Sequence, residues 1–519
     1  MYEFHRISGL KVSEELIAEM SKLYSDHYGV WGTGGKHPGS QVRLSSKSIR
    51  NWLVDDSYVV WATLLGRFVG YAIAVHKPVD PLGKIAWITQ FVVHKEHRRA
   101  DVGKRLLFSM WRFSDFFAWG LLTANPYAVR ALEKATKRRC HPRTIAQHAE
   151  EILSLGEQLV HYVAPSIERK IDDLGARVNT VFNVDHSDLP QMLGKATSET
   201  KPWTLGDLPD GWEWMAFTFH DQEQIPWEAK ELEEMMLASD EITKQAYSRM
   251  RSEWGGHPWA RYAAEEVEFI LRNSGVPKGA LVVDFGCGNG RHAIRLAESG
   301  YYVTAIDYAR EKSEDMPNAE ANECLARIKF HQGDCRTVDL SKRFDLGICL
   351  YDVVGSFVDD HSNIAILKNL ARHINDGGYA FISVMNMELT EHQAVNWFAF
   401  SSEPQKLQSL LPGNVMESSG NVFIPKYYMV DRETKIVYRK EQFRSGDELF
   451  EECLVRDRRF TCEEIVRLCV SVGFRVEWAR YVRAGHWEEQ LDSTSSRAKE
   501  ILVKCQKPYP AALQPKLFL

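Results

Sequence analysis

Leu281-Val282-Val283-Asp284-Phe285-Gly286-Cys287-Gly288-Asn289-Gly290 is an apolar run that ends in an acid and a turn with glycine at every second position. The run predicts a buried strand, and Arg291 begins a helix. A ligand at the carboxyl end of such a strand needs close approach of the backbone, which side chains at Gly286, Gly288 and Gly290 would block. Working outward, Tyr302–Ile306 reads as a second strand ending in Asp307, an acid placed to accept both ribose hydroxyls of an adenosine. Ile328–His331 leads into Gly333-Asp334-Cys335, where Asp334 is positioned for an adenine amino group. Phe344–Leu350 delivers Tyr351-Asp352 to the same edge, and Asp376-Gly377-Gly378 turns into the strand Tyr379–Val384. From Ala280 on, strands and amphipathic helices alternate, the pattern of a parallel α/β sheet. Residues 388–460 interrupt it with a β-rich insertion, in which Lys426–Val430 and Lys435–Phe443 flank an Asp431-Arg432-Glu433-Thr434 turn. A helix at Cys462–Val472 and a strand at Phe474–Tyr481 resume the pattern.

Over residues 245–508 this series resembles the class I S-adenosylmethionine-dependent methyltransferase superfamily, a Rossmann-like fold. The resemblance implies that Gly286 and Gly288 hold the methionine part of S-adenosylmethionine, Asp307 the ribose and Asp334 the adenine. It makes Asp284, Cys287, Asn289, Cys335 and Tyr351 the neighbouring cofactor contacts. A dinucleotide-binding fold is the alternative, and the G-x-G-x-G spacing, in place of G-x-G-x-x-G, argues against it. Methyl transfer asks a protein to align a nucleophile and exclude water. Tyr351, Asp352 and Ser356, just after the fourth strand, are the candidate catalytic residues; the alternative is that Tyr351 and Asp352 only close over the cofactor. His486 and Trp487 follow the last predicted strand. Neither the Pro-Pro motif of exocyclic-amine DNA methylation nor the Pro-Cys of cytosine methylation follows strand four, and the sequence there looks more like small-molecule methyltransferases. The insertion reads as a substrate-selecting lid or as an edge extension of the sheet.

The first half reads as a strand at Tyr2–Ile7, helices at Ser13–Asp26 and Ser45–Val54, and strands at Tyr58–Leu64 and Phe68–Val75 joined at Gly66-Arg67. Strand Ile85–Val93 runs into His97-Arg98-Arg99-Ala100-Asp101-Val102-Gly103-Lys104, a basic loop opening the helix Val102–Ser114. Free N–H groups and the helix dipole make such a loop an anion site. After a strand at Trp119–Thr123, Asn125-Pro126 starts a second helix, bordered by the basic cluster Lys134, Lys137, Arg138, Arg139 and Arg143. Residues 143–175 read as helical, and strands at Arg177–Val184 and Gly211–Phe219 close the half. Over residues 1–225 these features resemble the GNAT acetyltransferase superfamily, whose R-x-x-G-x-G/A loop binds the pyrophosphate of coenzyme A. The resemblance implies acetyl-CoA binding by Val93, Arg98, Val102, Gly103, Lys104 and Asn125. Three positions depart from the family pattern: Asp101 stands at the first glycine, Leu132 at the usual tyrosine, and Gln90 where a glutamate base is common.

Bulk properties set the frame. A chain of 519 residues exceeds one core. The reading is a GNAT-like domain at 1–225, a helical connector at 226–244 and a methyltransferase domain at 245–510, with Trp227, Trp254 and Trp259 dotting the leading helices. No apolar run spans a bilayer and no secretion signal opens the chain. Nine scattered cysteines without C-x-x-C spacing point to a reducing compartment and no structural zinc, hence a cytoplasmic protein with no metal site. A net charge of −6 supplies no general pull toward nucleic acid or membrane. The expected function is a bifunctional transferase acting on a small metabolite, with S-adenosylmethionine and acetyl-CoA as cofactors. An RNA- or tRNA-modifying enzyme and an acyl-CoA-sensing regulator are the alternatives.

Overall fold

A computed structural model describes residues 2–79, 81–114, 116–160, 162–249, 258–308, 324–414, 421–445 and 448–510, in two compact units, Met1–Ile242 and Thr243–Leu519. Trp254 lies outside the described residues.

In the first unit the elements run β1 (Tyr2–Ser8), α1 (Glu14–His27), α2 (Ser46–Arg50), β2 (Ser57–Leu64), β3 (Arg67–Val79), β4 (Gly83–Val93), α3 (Val102–Trp111), β5 (Ala118–Thr123), α4 (Pro126–Thr136), α5 (Pro142–Leu159), β6 (Arg169–Asp172), β7 (Gly175–Asn179), α6 (Leu189–Ala196) and β8 (Trp212–Phe219). One eight-stranded sheet results, in the order β1-β2-β3-β4-β5-β8-β7-β6. Its single parallel pair, β4 with β5, matches only Ile85–Trp87 to Ala118–Gly120, so the two strands part beyond Trp87. On the other edge of β4, Gln90 pairs with Ile73 and Ile88 with Ala74, which leaves Thr89 as a bulge at the point of parting. The β2–β3 turn is Leu65-Gly66, both at positive φ, one residue earlier than expected; that is the two-residue hairpin whose twist suits the strands. The helix expected over 143–175 stops at Leu159. Pro165 cannot continue it, and Arg169–Asp172 forms a hairpin with β7 instead.

α7 (Ala229–Arg249) carries the chain onward. The second unit contains α8 (Ala263–Ser274), β9 (Leu281–Phe285), α9 (Arg291–Glu298), β10 (Tyr302–Asp307), β11 (Ile328–Gln332), β12 (Phe344–Cys349), α10 (Asp360–His373), β13 (Ile374–Met385) and α11 (Met387–Gln393). The insertion follows as β14 (Trp397–Phe398), β15 (Pro412–Asn414), β16 (Tyr428–Asp431), β17 (Ile436–Ser445) and β18 (Glu448–Arg458), then α12 (Cys462–Ser471), β19 (Arg475–Val482) and β20 (Glu500–Gln506). The main sheet has the order β11-β10-β9-β12-β13-β20-β19, parallel from β11 to β13, with β20 antiparallel to both neighbours. This is a Rossmann-like, mixed α/β fold. Both faces of β9 are covered: Val283 and Phe285 pack with Leu367 and Leu370 of α10, and Val282 packs with Leu296 of α9. Strand order reverses between β9 and β12, which opens a crevice at their carboxyl ends.

The insertion leaves and returns at one point. Met387 N–H donates to Phe460 O at 2.9 Å and Phe460 N–H to Met385 O at 3.0 Å. β18 then reaches the loop after β12, where Arg458 N–H donates to Gly355 O at 2.9 Å. A Cβ on Gly355 would stand 2.4 Å from that Arg458 carbonyl oxygen, so the approach requires glycine.

Candidate active site

Every residue of the strand-end turn has a defined task. Gly286 N–H and Cys287 N–H both donate to Ile306 O at 2.9 Å, and Gly288 N–H donates to Asp307 Oδ2 at 2.8 Å. The turn after β9 is thereby tied to the end of β10. Gly286 has φ of 74°, and a Cβ there would meet Val353 Cγ2 at 2.3 Å. Asn289 Oδ1 accepts from Arg291 N–H at 3.3 Å, which starts α9. Cys287 and Cys335 are buried, and burial pushes the Cys335 thiol well up. Asp334 is held locally: its carboxylate accepts from Arg336 N–H and pairs with the Arg336 guanidinium at 2.6 Å.

Tyr351 has positive φ at 66°, an uncommon state for a bulky residue that costs roughly 1–3 kcal/mol and clusters at functional sites. Its backbone N–H bonds to Ser383 Oγ, and its phenol donates to Glu266 Oε1 at 2.6 Å. Arg291 lies over the Tyr351 ring, 4.4 Å from the centroid. Glu266 also takes Gly485 N–H at 2.9 Å and contacts His292 Nε2 at 2.7 Å, so α8 binds together the loops after β12 and β19. Asp352 is solvent-accessible, yet Arg439 and Asp457 of the insertion and Arg291 all act on it. That combination describes a side chain lining a cleft; desolvation there raises its pKa, with Arg439 and Arg291 opposing. Ser356 is exposed and gives its hydroxyl to Val353 O at 2.9 Å. His486 packs against Tyr262, and Trp487 is a core residue.

Two acids beside Arg291 are pushed toward their neutral form. Burial raises Asp284 to about 7, opposed by Arg291 and helped by Asp307. Burial, with Glu266 adding to it, raises Glu500 to about 8. Asp284 Oδ2 and Glu500 Oε2 are buried with no hydrogen-bond partner among the described residues. Unpaired buried acceptors next to a guanidinium suit a ligand that carries both an ammonium and a carboxylate. Sequence reading missed Glu266 and Glu500, because each sits in an element with no motif around it.

In the first unit the expected acetyl-CoA residues surround the start of α3. Asp101 adopts the left-handed conformation at its N-cap, the state a glycine would take there. Asp101 pairs with Lys104 at 3.4 Å and Lys134 at 3.6 Å, and buried Lys104 also meets Glu231 of α7 at 3.5 Å. Arg98 donates to the carbonyls of Val93 and His27, and therefore braces the loop. A Cβ on Gly103 would stand 2.9 Å from the Phe91 ring, so Gly103 lets α3 close on the sheet beside buried Val102. Asn125 Oδ1 caps α4 through Tyr127 N–H at 2.9 Å.

Comparison with known proteins places a family on each unit. Residues 19–135 match the acetyltransferase (GNAT) family, and residues 267–413 match the family described as tellurite resistance protein TehB. A ubiquinone biosynthesis O-methyltransferase of Rickettsia conorii is 33% identical over 122 residues, covering 23% of this chain and 40% of that one. A dTDP-4-amino-2,3,4,6-tetradeoxy-D-glucose N,N-dimethyltransferase of Saccharopolyspora spinosa is 29% identical over 132 residues, 24% of this chain and 48% of that one. The chain thus spans less than half the length of these curated relatives. The solved CcbJ methyltransferase of Streptomyces caelestis aligns at 14% identity over 51% of this chain and 99% of its own, with a TM-score of 0.37. The chain carries a GNAT segment and a TehB methyltransferase-like segment. Among the described residues no helix is long and apolar enough to cross a membrane.

Proposed function

We propose that the unit Thr243–Leu519 transfers the methyl group of S-adenosylmethionine to a nitrogen or oxygen of a small molecule. The observation that carries this reading is the juxtaposition of Arg291 with the unpartnered oxygens of Asp284 and Glu500, beside the Gly286–Gly288 turn tied to Asp307. In this reading Asp284 and Arg291 hold the methionine end and Asp307 the ribose, with Cys287, Asn289 and Cys335 walling the turn. Asp334 fits the adenine amino group less directly, since Arg336 already engages its carboxylate. When bound, the cofactor supplies a sulfonium methyl that is electrophilic without further activation. The chain's part is to orient and to manage a proton. Tyr351, fixed by Glu266 and Ser383, forms a wall; Asp352, near Arg439 and Asp457 of the insertion, orients the acceptor and takes its proton. The relatives named above act, by their names, in ubiquinone biosynthesis and on an amino sugar, which favours a small acceptor.

For the first unit we propose acyl-CoA binding at the α3 loop, supported by the parting of β4 from β5 and the left-handed Asp101. Calorimetric titration with S-adenosylmethionine tests the main claim. The wild type is expected to bind it, and Asp307→Ala to bind about tenfold or more weakly, since it loses a charge-assisted site. A folded wild type that does not bind S-adenosylmethionine overturns it.

A further inference from the structure

α7 begins well after the segment that matches the GNAT family. That segment is 19–135 and α7 opens at Ala229, so what α7 adds to the first unit is this chain's own. Apolar side chains seat the helix. Leu232, Met235 and Met236 are buried, and just ahead of them buried Trp227 meets Phe108 of α3 edge-on at 5.8 Å. Ile225 N–H donates to Lys137 O at 2.7 Å, which ties the approach to α7 to the end of α4. Three residues apart, Glu231 and Glu234 share one stripe of the helix.

That acidic stripe is spent on the basic side chains of α3 and α4. Glu231 Oε1 lies 3.5 Å from Lys104 Nζ, and its Oε2 lies 2.7 Å from Lys137 Nζ. Arg105 Nη2 donates to Glu234 Oε2 at 3.1 Å. The side chains of Lys104 and Lys137 are only 5% and 11% exposed, so water cannot balance their ammonium groups and a carboxylate of the chain does so. Lys104 and Arg105 also stand at the opening of α3, whose N-cap residue Asp101 makes no side-chain capping bond. Phosphates arriving at that turn meet cations already matched by Glu231 and Glu234. Two anions at close range on the same cations repel, so one has to leave.

We propose that Glu231 and Glu234 act as an internal anion that keeps the α3 loop self-paired, and that acyl-CoA binds by taking Lys104, Arg105 and Lys137 from them. The inference rests on the acyl-CoA reading above. α7 is then an autoinhibitory strap: its apolar face anchors it while its acidic stripe is exchanged for phosphate. Linkage makes the effect reciprocal, so a change that weakens the hold of the stripe tightens acyl-CoA binding, and acyl-CoA loosens the start of α7.

The test is calorimetric titration of the full chain with acetyl-CoA, on the wild type, Glu231→Gln, Glu234→Gln and Glu228→Gln. Each variant removes one negative charge and keeps the side chain's shape; exposed Glu228, just before α7, measures the general effect of charge. Glu231→Gln is expected to bind about tenfold more tightly than the wild type, Glu234→Gln several-fold more tightly, and Glu228→Gln within about twofold of it. Binding by Glu231→Gln where the wild type binds none is the extreme of the same result. In wild-type hydrogen exchange, which decides the matter if a variant does not fold, acetyl-CoA is expected to speed exchange at residues 229–237. If the wild type binds and Glu231→Gln binds no more tightly, the acyl-CoA reading stands and the strap is overturned. An equal gain in Glu228→Gln overturns it as well, as does unchanged or slower exchange at 229–237 in the bound wild type. No binding by any of the folded proteins removes the acyl-CoA reading and the strap together.

Discussion

Glu500 closes the strand β20 against Ser383 and Met385 of β13, where burial holds its acid form to about 8. Asp284 behaves alike at about 7. An unfolded carboxyl releases its proton near pH 4, so between that value and the folded one the native chain holds more protons than the unfolded chain. Stability contributed by these groups is therefore present at low pH and is lost as the pH rises toward 8. His292, lowered chiefly by its burial, runs the other way; its contribution is present above its ordinary value of 6.5 and is lost as the pH falls below it. Glu500→Gln removes one of the acid terms and keeps the packing. In urea denaturation at pH 5 and pH 8.5 the variant is expected to show a smaller alkaline loss of stability than the wild type, by roughly 1–3 kcal/mol. A variant with an unchanged alkaline loss would place the pH dependence elsewhere. Glu266 differs in kind, since three donors converge on it and its role is positional.

At the scale of elements, the α3 loop sets charge against charge. Asp101 neutralises Lys104 and Lys134, and Glu231 takes Lys104 and also Lys137, at 2.7 Å. The backbone keeps an anion-binding shape while carboxylates of the chain stand around it. Asp101→Gly keeps the left-handed turn without cost, frees Lys134 from Asp101 and leaves Lys104 paired with Glu231 alone; the Asp101 pairs, on a partly exposed carboxylate, are worth at most about 1 kcal/mol, so the fold should tolerate the change. Coenzyme A affinity is expected to rise several-fold to tenfold by calorimetry. No change in affinity would separate this loop from phosphate binding. Much of this level was legible beforehand. The strand and turn from Leu281 to Gly290, Asp307 and the loop at Arg98–Lys104 all carry local patterns, and each was read from them. β20 was missed, although it lies between β13 and β19 in the sheet. Its apolar run is flanked by Glu500 and Lys504, charges that look exposed in a sequence. The fold buries both, with Lys504 pairing to Glu477 at 2.8 Å and lying over the Tyr379 ring.

At the scale of the whole molecule, the two cofactor sites proposed belong to different units and different chemistries. The S-adenosylmethionine site proposed here is assembled from α8, the turn after β9, the end of β10, the loop after β12 and β20, all within Thr243–Leu519. The acyl-CoA site proposed at the α3 loop lies wholly within Met1–Ile242. A ligand that binds only the folded state stabilises by RT ln(1 + [L]/Kd), about 2.7 kcal/mol at a hundredfold excess over Kd, and the effect falls on the elements it joins. Hydrogen exchange on the full chain reads this element by element. With S-adenosylmethionine, slower exchange is expected at residues 285–291, 306–308 and 350–355, and in the part of the insertion, 456–460, that reaches Gly355. With acetyl-CoA, slowing is expected at residues 88–93 and 98–105. If S-adenosylmethionine leaves 456–460 unchanged while protecting the turn after β9, the insertion is an edge extension of the sheet. Protection of both together makes it the lid of the methyl-transfer site, because the Arg458–Gly355 bond couples β18 to the loop that carries Tyr351 and Asp352.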